Sequence, residues 1–89
     1  IPVRNGGPAF RDCLEAAMAC RPAADEIVVV DDASDDRSPE TAEAAGVRVV
    51  RLARQRGPAF ARNRGAEVAG ADVLFFVDAD VRLPADAVA

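Results

Sequence analysis

The side chains in this sequence that could do chemistry are carboxylates and arginines. Asp31-Asp32 closes the apolar run Ile27 to Val30, and Asp78-Ala79-Asp80 closes the run Val73 to Val77. On extended backbone, carboxylates two residues apart lie on one side, about 6.5–7 Å from each other. Such a pair can share a hard divalent cation that keeps several waters and bridges to a diphosphate. Arg51, Arg54, Arg56, Arg62 and Arg64 crowd around Gly57 and the start of a predicted helix. Guanidinium forks match phosphate oxygens, and a helix N-terminus adds its own positive end. Each feature also has a bland reading. Aspartates close turns and cap helices, and arginines keep an Ala-rich helix in water.

Composition leaves these groups little competition. All eleven basic residues are Arg, and the chain has no Lys, His, Tyr or Trp. A P-loop lysine, a Schiff-base lysine, a His general base and a His-ligated metal are therefore excluded. The net charge of -4 argues against binding nucleic acid through its phosphates. Cys13 and Cys20 stand two helical turns apart, about 10 Å, too far for a disulfide. They read as small buried residues of a reducing compartment, so the expected location is cytoplasmic. No apolar run approaches the roughly 18 residues of a membrane span. With 89 residues there is room for one domain, and the opening Ile1-Pro2-Val3 without a leader reads as a piece of something longer.

The elements that would position the acids follow from periodicity. Ile1 to Val3 reads as a strand tail, and Asn5-Gly6-Gly7-Pro8 as a turn into a helix over Ala9 to Cys20. Phe10, Leu14, Ala17 and Met18 form its apolar face, and Arg21-Pro22 ends it. Ile27 to Val30 is a strand of the fully buried, parallel type. Ser38 is the predicted N-cap of a helix that Pro39 opens and Gly46 stops. Val47 to Leu52 is a strand near a sheet edge, because Arg48 and Arg51 interrupt it. A helix from Gly57-Pro58 to about Gly70 and a strand over Val73 to Val77 complete the pattern, and Leu83-Pro84 starts another element. The alternation predicts an α/β fold, a parallel sheet with helices on both faces and strands ordered 3-2-1-4. Ligands bind such sheets at the carboxyl edge, where both acidic clusters fall.

Four blocks resemble the family 2 glycosyltransferases of GT-A fold: Ile1-Pro2-Val3-Arg4-Asn5, Glu26 through Asp36, Gly57 through Gly65 with Ala61-Arg62-Asn63-Arg64-Gly65, and Phe76-Val77-Asp78-Ala79-Asp80. They stand in the family's order and spacing over essentially the whole chain. The resemblance implies a Rossmann-like GT-A sheet, here truncated, covering residues 1–89 as the donor-binding half. It implies a UDP- or GDP-sugar donor, an acceptor hydroxyl, and Mg²⁺ or Mn²⁺ held through the DXD motif. By position, Pro2, Val3, Arg4 and Asn5 would line the base pocket. Asp32, with Asp31 beside it, would accept hydrogen bonds from the base or ribose, and Arg62 would sit near the diphosphate. Asp80 would ligate the metal, with Asp78 on ribose or a metal-bound water. Arg4 stands where many members carry a Tyr that stacks on the base, so the base stays open. The family's general base would lie beyond Ala89, leaving these residues inactive alone; parts outside them could bring the chain to the inner face of a membrane.

Two rival readings use the same residues. A response-regulator receiver also pairs acids after one strand with a phosphorylated Asp after a later one, here Asp31/Asp32 and Asp78. It leaves residues 1–22 and the Ala61 to Gly65 block without a role, and its usual lysine is missing. A non-catalytic nucleotide-binding fragment differs only in what lies outside the chain. Because a short parallel sheet exposes an unpaired edge, self-association into a homo-oligomer is also expected.

Overall fold

The computed structural model describes residues 1–20, 26–69 and 76–84. Strands β1 (Pro2–Val3), β2 (Val28–Asp31) and β3 (Arg48–Arg51) alternate with helices α1 (Gly7–Met18), α2 (Ser38–Ala44) and α3 (Pro58–Val68). The strands are parallel in the order β1-β2-β3, with Pro2 opposite Val30 and Val28 opposite Arg48. This is the expected 3-2-1 portion of the sheet. The fourth strand was expected over Val73 to Val77, of which residues 73–75 lie outside the described residues, as do residues 85–89.

Alternation along β2 explains how both faces are filled. Val29 points into a core of Val3, Phe10, Leu14 and Ala42, so α1 and α2 cover that face. Val30 points the other way, where Gly65 lets α3 approach: a Cβ there would stand 3.2 Å from the Val30 methyl. Helix α3 packs on β2 and β1 rather than β3. It thus runs back across the sheet, the direction needed by a further strand beside β1. Strand β3 closes the described sheet with exposed Arg48 and Arg51, as an edge requires.

Local expectations shift in instructive ways. Helix α1 buries Phe10, Cys13, Leu14 and Ala17, while Met18 is 41% exposed. The buried stripe is centred on i, i+3, i+4 and i+7, which puts Cys13 inside and Met18 at its margin. The helix closes at Met18, through Ala19 bonding back to Glu15, before reaching Arg21-Pro22. In α2 the predicted cap is displaced. Ser38 is buried, Arg37 occupies the N-cap position, and the Ser38 N–H is held by Asp36 Oδ1 at 2.9 Å. The Ser38 hydroxyl is drawn instead to the Gly6 N–H, 3.1 Å away. Among the described residues no helix is long and apolar enough to cross a membrane.

Gly6 marks the tightest crossing in the core. A Cβ there would meet Phe10 Cβ at 2.4 Å and Val3 Cγ2 at 2.8 Å, neither of them the end of a flexible side chain. Gly6→Ala is expected to destabilise the fold by about 1–3 kcal/mol through overpacking. Urea denaturation checks this, and an unchanged midpoint would refute the close approach.

Candidate functional site

In a parallel sheet every strand delivers its carboxyl end to the same edge, so the loops after β1, β2 and β3 meet there. Side-chain hydrogen bonds knit these loops together. Asn5 adopts φ +52°, a left-handed conformation that Asn tolerates better than most residues. From there its Oδ1 accepts from the N–H groups of Asp35 at 2.7 Å and Asp36 at 3.3 Å. The Asn5 N–H reaches Ser34 Oγ, and the Gly7 N–H reaches Asp36 Oδ2. The β1–α1 loop is thereby fixed to the β2–α2 loop.

The third loop is fixed by Asp32. Its Oδ1 accepts from the Arg56 N–H at 2.7 Å and its Oδ2 from the Gly57 N–H at 2.9 Å. Gly57 has φ +92° and ψ 164°, a region essentially reserved for glycine. That geometry aims its N–H at the carboxylate and turns the chain into α3, whose positive end the acid also favours.

Asp31 and Asp32 are 3% and 4% exposed, and both backbones continue the ladder: Asp32 donates to Val3 and Asp31 accepts from Leu52. Their side chains divide the work. Asp32 commits one oxygen to each of two backbone donors. Asp31 accepts from the Ser34 N–H through Oδ2 alone, at 3.2 Å, and its buried Oδ1 has no hydrogen-bond partner among the described residues. Buried polar oxygens are ordinarily paired; among the described residues Oδ1 of Asp31 and Oε2 of Glu40 are not, and Asp31 is the one at the end of the central strand. Of the residues expected to line a base pocket, Val3 is a core residue and the Asn5 side chain is spent on the loop. Pro2 is half-buried, and Arg4 is exposed beside Asp35 at 4.0 Å.

The DXD segment departs from the extended geometry expected for it. Ala79 and Asp80 form a turn closed by the Val81 N–H donating to the Asp78 carbonyl at 3.0 Å. Ala79 packs against the core, and the flanking Asp78 and Asp80 are exposed. Two outward carboxylates on a turn suit a hard cation by donor type. Among the described residues no group of three acids, Cys or His gathers around a metal-sized space.

The arginines separate as well. Arg51 pairs with Glu43 and, at 3.8 Å, Glu40; Arg64 pairs with Glu67; Arg56 stacks on Phe60 at 4.5 Å. Glu43 raises the Arg51 guanidinium above its ordinary value. Arg62 is exposed on α3 and makes no ion pair or hydrogen bond among the described residues.

Residue types alone did not disclose Asn5 and Asp36 as clamps, Asp32 as an anchor for α3, or Cys13 as a neighbour of the acidic turn. The available signals were an Asn directly ahead of Gly-Gly-Pro and an Asp two residues before Ser-Pro. Both cysteines are buried thiols. Burial pushes the Cys13 thiol up, with the Asp78 and Asp80 charges adding to it, so the sulfur keeps its proton.

Two outcomes follow. Asp32→Ala strands the Arg56 and Gly57 N–H groups and is expected to cost at least about 2 kcal/mol, read by urea denaturation. For Asp36, burial acts to raise the carboxyl, but bonds from the Ser38 hydroxyl and the Ser38 and Gly7 amides prevail and hold it below its ordinary value. A lowered carboxyl stabilises the fold above the unfolded-state value, and that contribution fades as pH falls through the folded one. Asp36→Ala should therefore cost about 1 kcal/mol at pH 7 and progressively less below about pH 4. Denaturation curves at pH 7 and pH 3 test the sign.

The glycosyl transferase family 2 model matches residues 1–89. The chain is 43% identical over 84 residues to the "uncharacterized glycosyltransferase YibD" of Escherichia coli K12, covering 90% of this chain and 24% of that protein. It is 35% identical over 85 residues to the succinoglycan biosynthesis protein ExoU of Rhizobium meliloti, covering 90% and 25% respectively. It also superposes on the crystal structure of S. aureus TarS 1-349 with a TM-score of 0.78 at 27% identity, over 89% of this chain and 26% of that one. The chain thus spans about a quarter of the curated relatives it matches. These likenesses agree with the GT-A arrangement of sheet and helices and leave the receiver reading without support. The chain belongs to glycosyl transferase family 2.

Proposed function

We propose that residues 1–89 form the donor-binding part of a glycosyltransferase, holding a nucleotide-diphosphate sugar across the carboxyl edge of the sheet. The observation that carries this reading is the buried, unpartnered Oδ1 of Asp31 at the end of the central strand. An ionised carboxylate only accepts, and a uracil or guanine N–H or a ribose hydroxyl supplies the missing donor. Asp32 then acts at one remove, by holding the loop that starts α3. Exposed Arg4 offers a planar guanidinium to stack on the base, and Arg62 offers a fork to the diphosphate.

Asp80 and Asp78 would hold Mg²⁺ or Mn²⁺. Bound there, the metal would neutralise charge on the leaving diphosphate. What the chain itself contributes is position: Ala79 seats the turn on the core and leaves both acids facing outward. Deprotonating the acceptor hydroxyl requires a general base, and none of the carboxylates above is assigned that task. It belongs with the acceptor site in the part of the relatives that this chain does not match. The 89 residues alone are therefore expected to bind donor without completing transfer.

Calorimetric titration with UDP- and GDP-sugars, with and without Mn²⁺, tests the reading. Binding should strengthen with Mn²⁺, and Asp80→Ala should abolish that increment. Asp31→Ala should weaken nucleotide binding about 10–100-fold, the worth of a hydrogen bond to a charged group. Metal-independent affinity that survives both substitutions would sink the assignment.

A further inference from the structure

Two buried groups remain that the donor site does not use, the thiols of Cys13 and Cys20. They stand seven residues apart on α1, 1% and 0% exposed, and both face the segment that carries the acids. Cys13 Sγ donates to the Asp78 carbonyl at 3.4 Å. Asp78 carbonyl and Val81 amide are the two ends of the hydrogen bond that closes the acidic turn. The thiol is therefore seated against that turn, bonded to the carbonyl that closes it. Cys20 Sγ lies at the far end of the same segment, 3.6 Å from the Pro84 carbonyl and 3.5 Å from that of Ala16.

We infer that Cys13 is a positioning residue for the Asp78-Ala79-Asp80 turn, setting the orientation of its two carboxylates from behind. The inference rests on the metal reading of those carboxylates. Its physical basis is the weakness of the turn's other restraints. Asp78 and Asp80 are exposed, and within the described residues neither side chain has a hydrogen-bond or ion-pair partner to aim it. Their directions follow from the backbone of the turn. That backbone is held by one internal hydrogen bond, by Ala79 on the core, and by the Cys13 sulfur. A thiol is a weak donor and acceptor, but a large, polarizable atom that fills the space beneath the turn. Cys20 grips the same segment away from the acids, so it shares the burial without the geometry. The two cysteines thus form a matched pair for experiment.

The test is a Mn²⁺ titration, read from the electron paramagnetic resonance signal of the free ion, with saturating UDP or GDP, whichever binds. Parent, Cys13→Ala, Cys20→Ala and Asp80→Ala proteins are compared, with thermal unfolding alongside. Both cysteine variants should unfold at lower temperature. Only Cys13→Ala should weaken Mn²⁺ binding, by about tenfold, the lower end of the effect of removing groups that orient metal ligands. If Cys13→Ala does not fold, Cys13→Ser takes its place, with a smaller expected loss because its shorter side chain still donates. Mn²⁺ affinity lost in Asp80→Ala but unchanged in the Cys13 variant overturns this inference alone. Equal weakening by Cys13→Ala and Cys20→Ala overturns it too, since that would be loss of packing. Mn²⁺ binding indifferent to Asp80→Ala overturns the metal reading and this inference together.

Discussion

The carboxylate of Asp32 ties together parts of the molecule that lie on opposite faces of the sheet. Its backbone extends the β1–β2 ladder by donating to Val3, and its side chain takes the N–H groups that lead into α3. Helices α1 and α2 are fixed to one face by the apolar core. Helix α3 has only Ala61 fully buried among its residues and cannot rely on hydrophobic area to fix its position. It is placed by the close approach of Gly65 to Val30 and by two charge-assisted hydrogen bonds to Asp32. Arg62 rides on that helix, so its place relative to the central strand depends on Asp32.

The same economy runs along the rest of the edge. A parallel sheet leaves its loops with backbone donors that the ladder does not use, and short polar side chains satisfy them. Asn5, Ser34, Asp36 and Ser38 close these bonds between the first two loops. Once that is done, two buried carboxylate oxygens are left over among the described residues, Oε2 of Glu40 on α2 and Oδ1 of Asp31 at the end of the central strand. The contrast between neighbouring aspartates is instructive, since identical side chains one residue apart point to opposite sides of a strand. One secures the scaffold and the other keeps an oxygen unpaired among the described residues.

Fold class was legible because its signals are local. Val28 to Val30 reads as a buried strand from its β-branched run alone, and Pro8, Pro39 and Pro58 each stand at a helix start. The spacing of acids and apolar runs placed Asp31-Asp32 at the carboxyl end of β2, while most of the strand expected before Asp78 lies outside the described residues. Element ends were less legible where a tertiary bond competed with a local one. Ser38 is the plainest case: as a sequence it is an N-cap, yet its hydroxyl is taken by Gly6 from a loop 32 residues away.

The sequence by itself determined the parallel α/β alternation, the restriction to carboxylate and arginine chemistry, and the position of Asp31-Asp32 at the end of the central strand. These follow from periodicity, residue type and the handedness of strand crossovers. Only the tertiary structure decided which acid is anchored and which is left with a free oxygen, which arginines are already paired, and that the acidic motif is a turn resting on Cys13. Such distinctions depend on hydrogen bonds between loops distant in the chain. Each is set by which donor the fold brings within about 3 Å, and spacing along one strand cannot encode that.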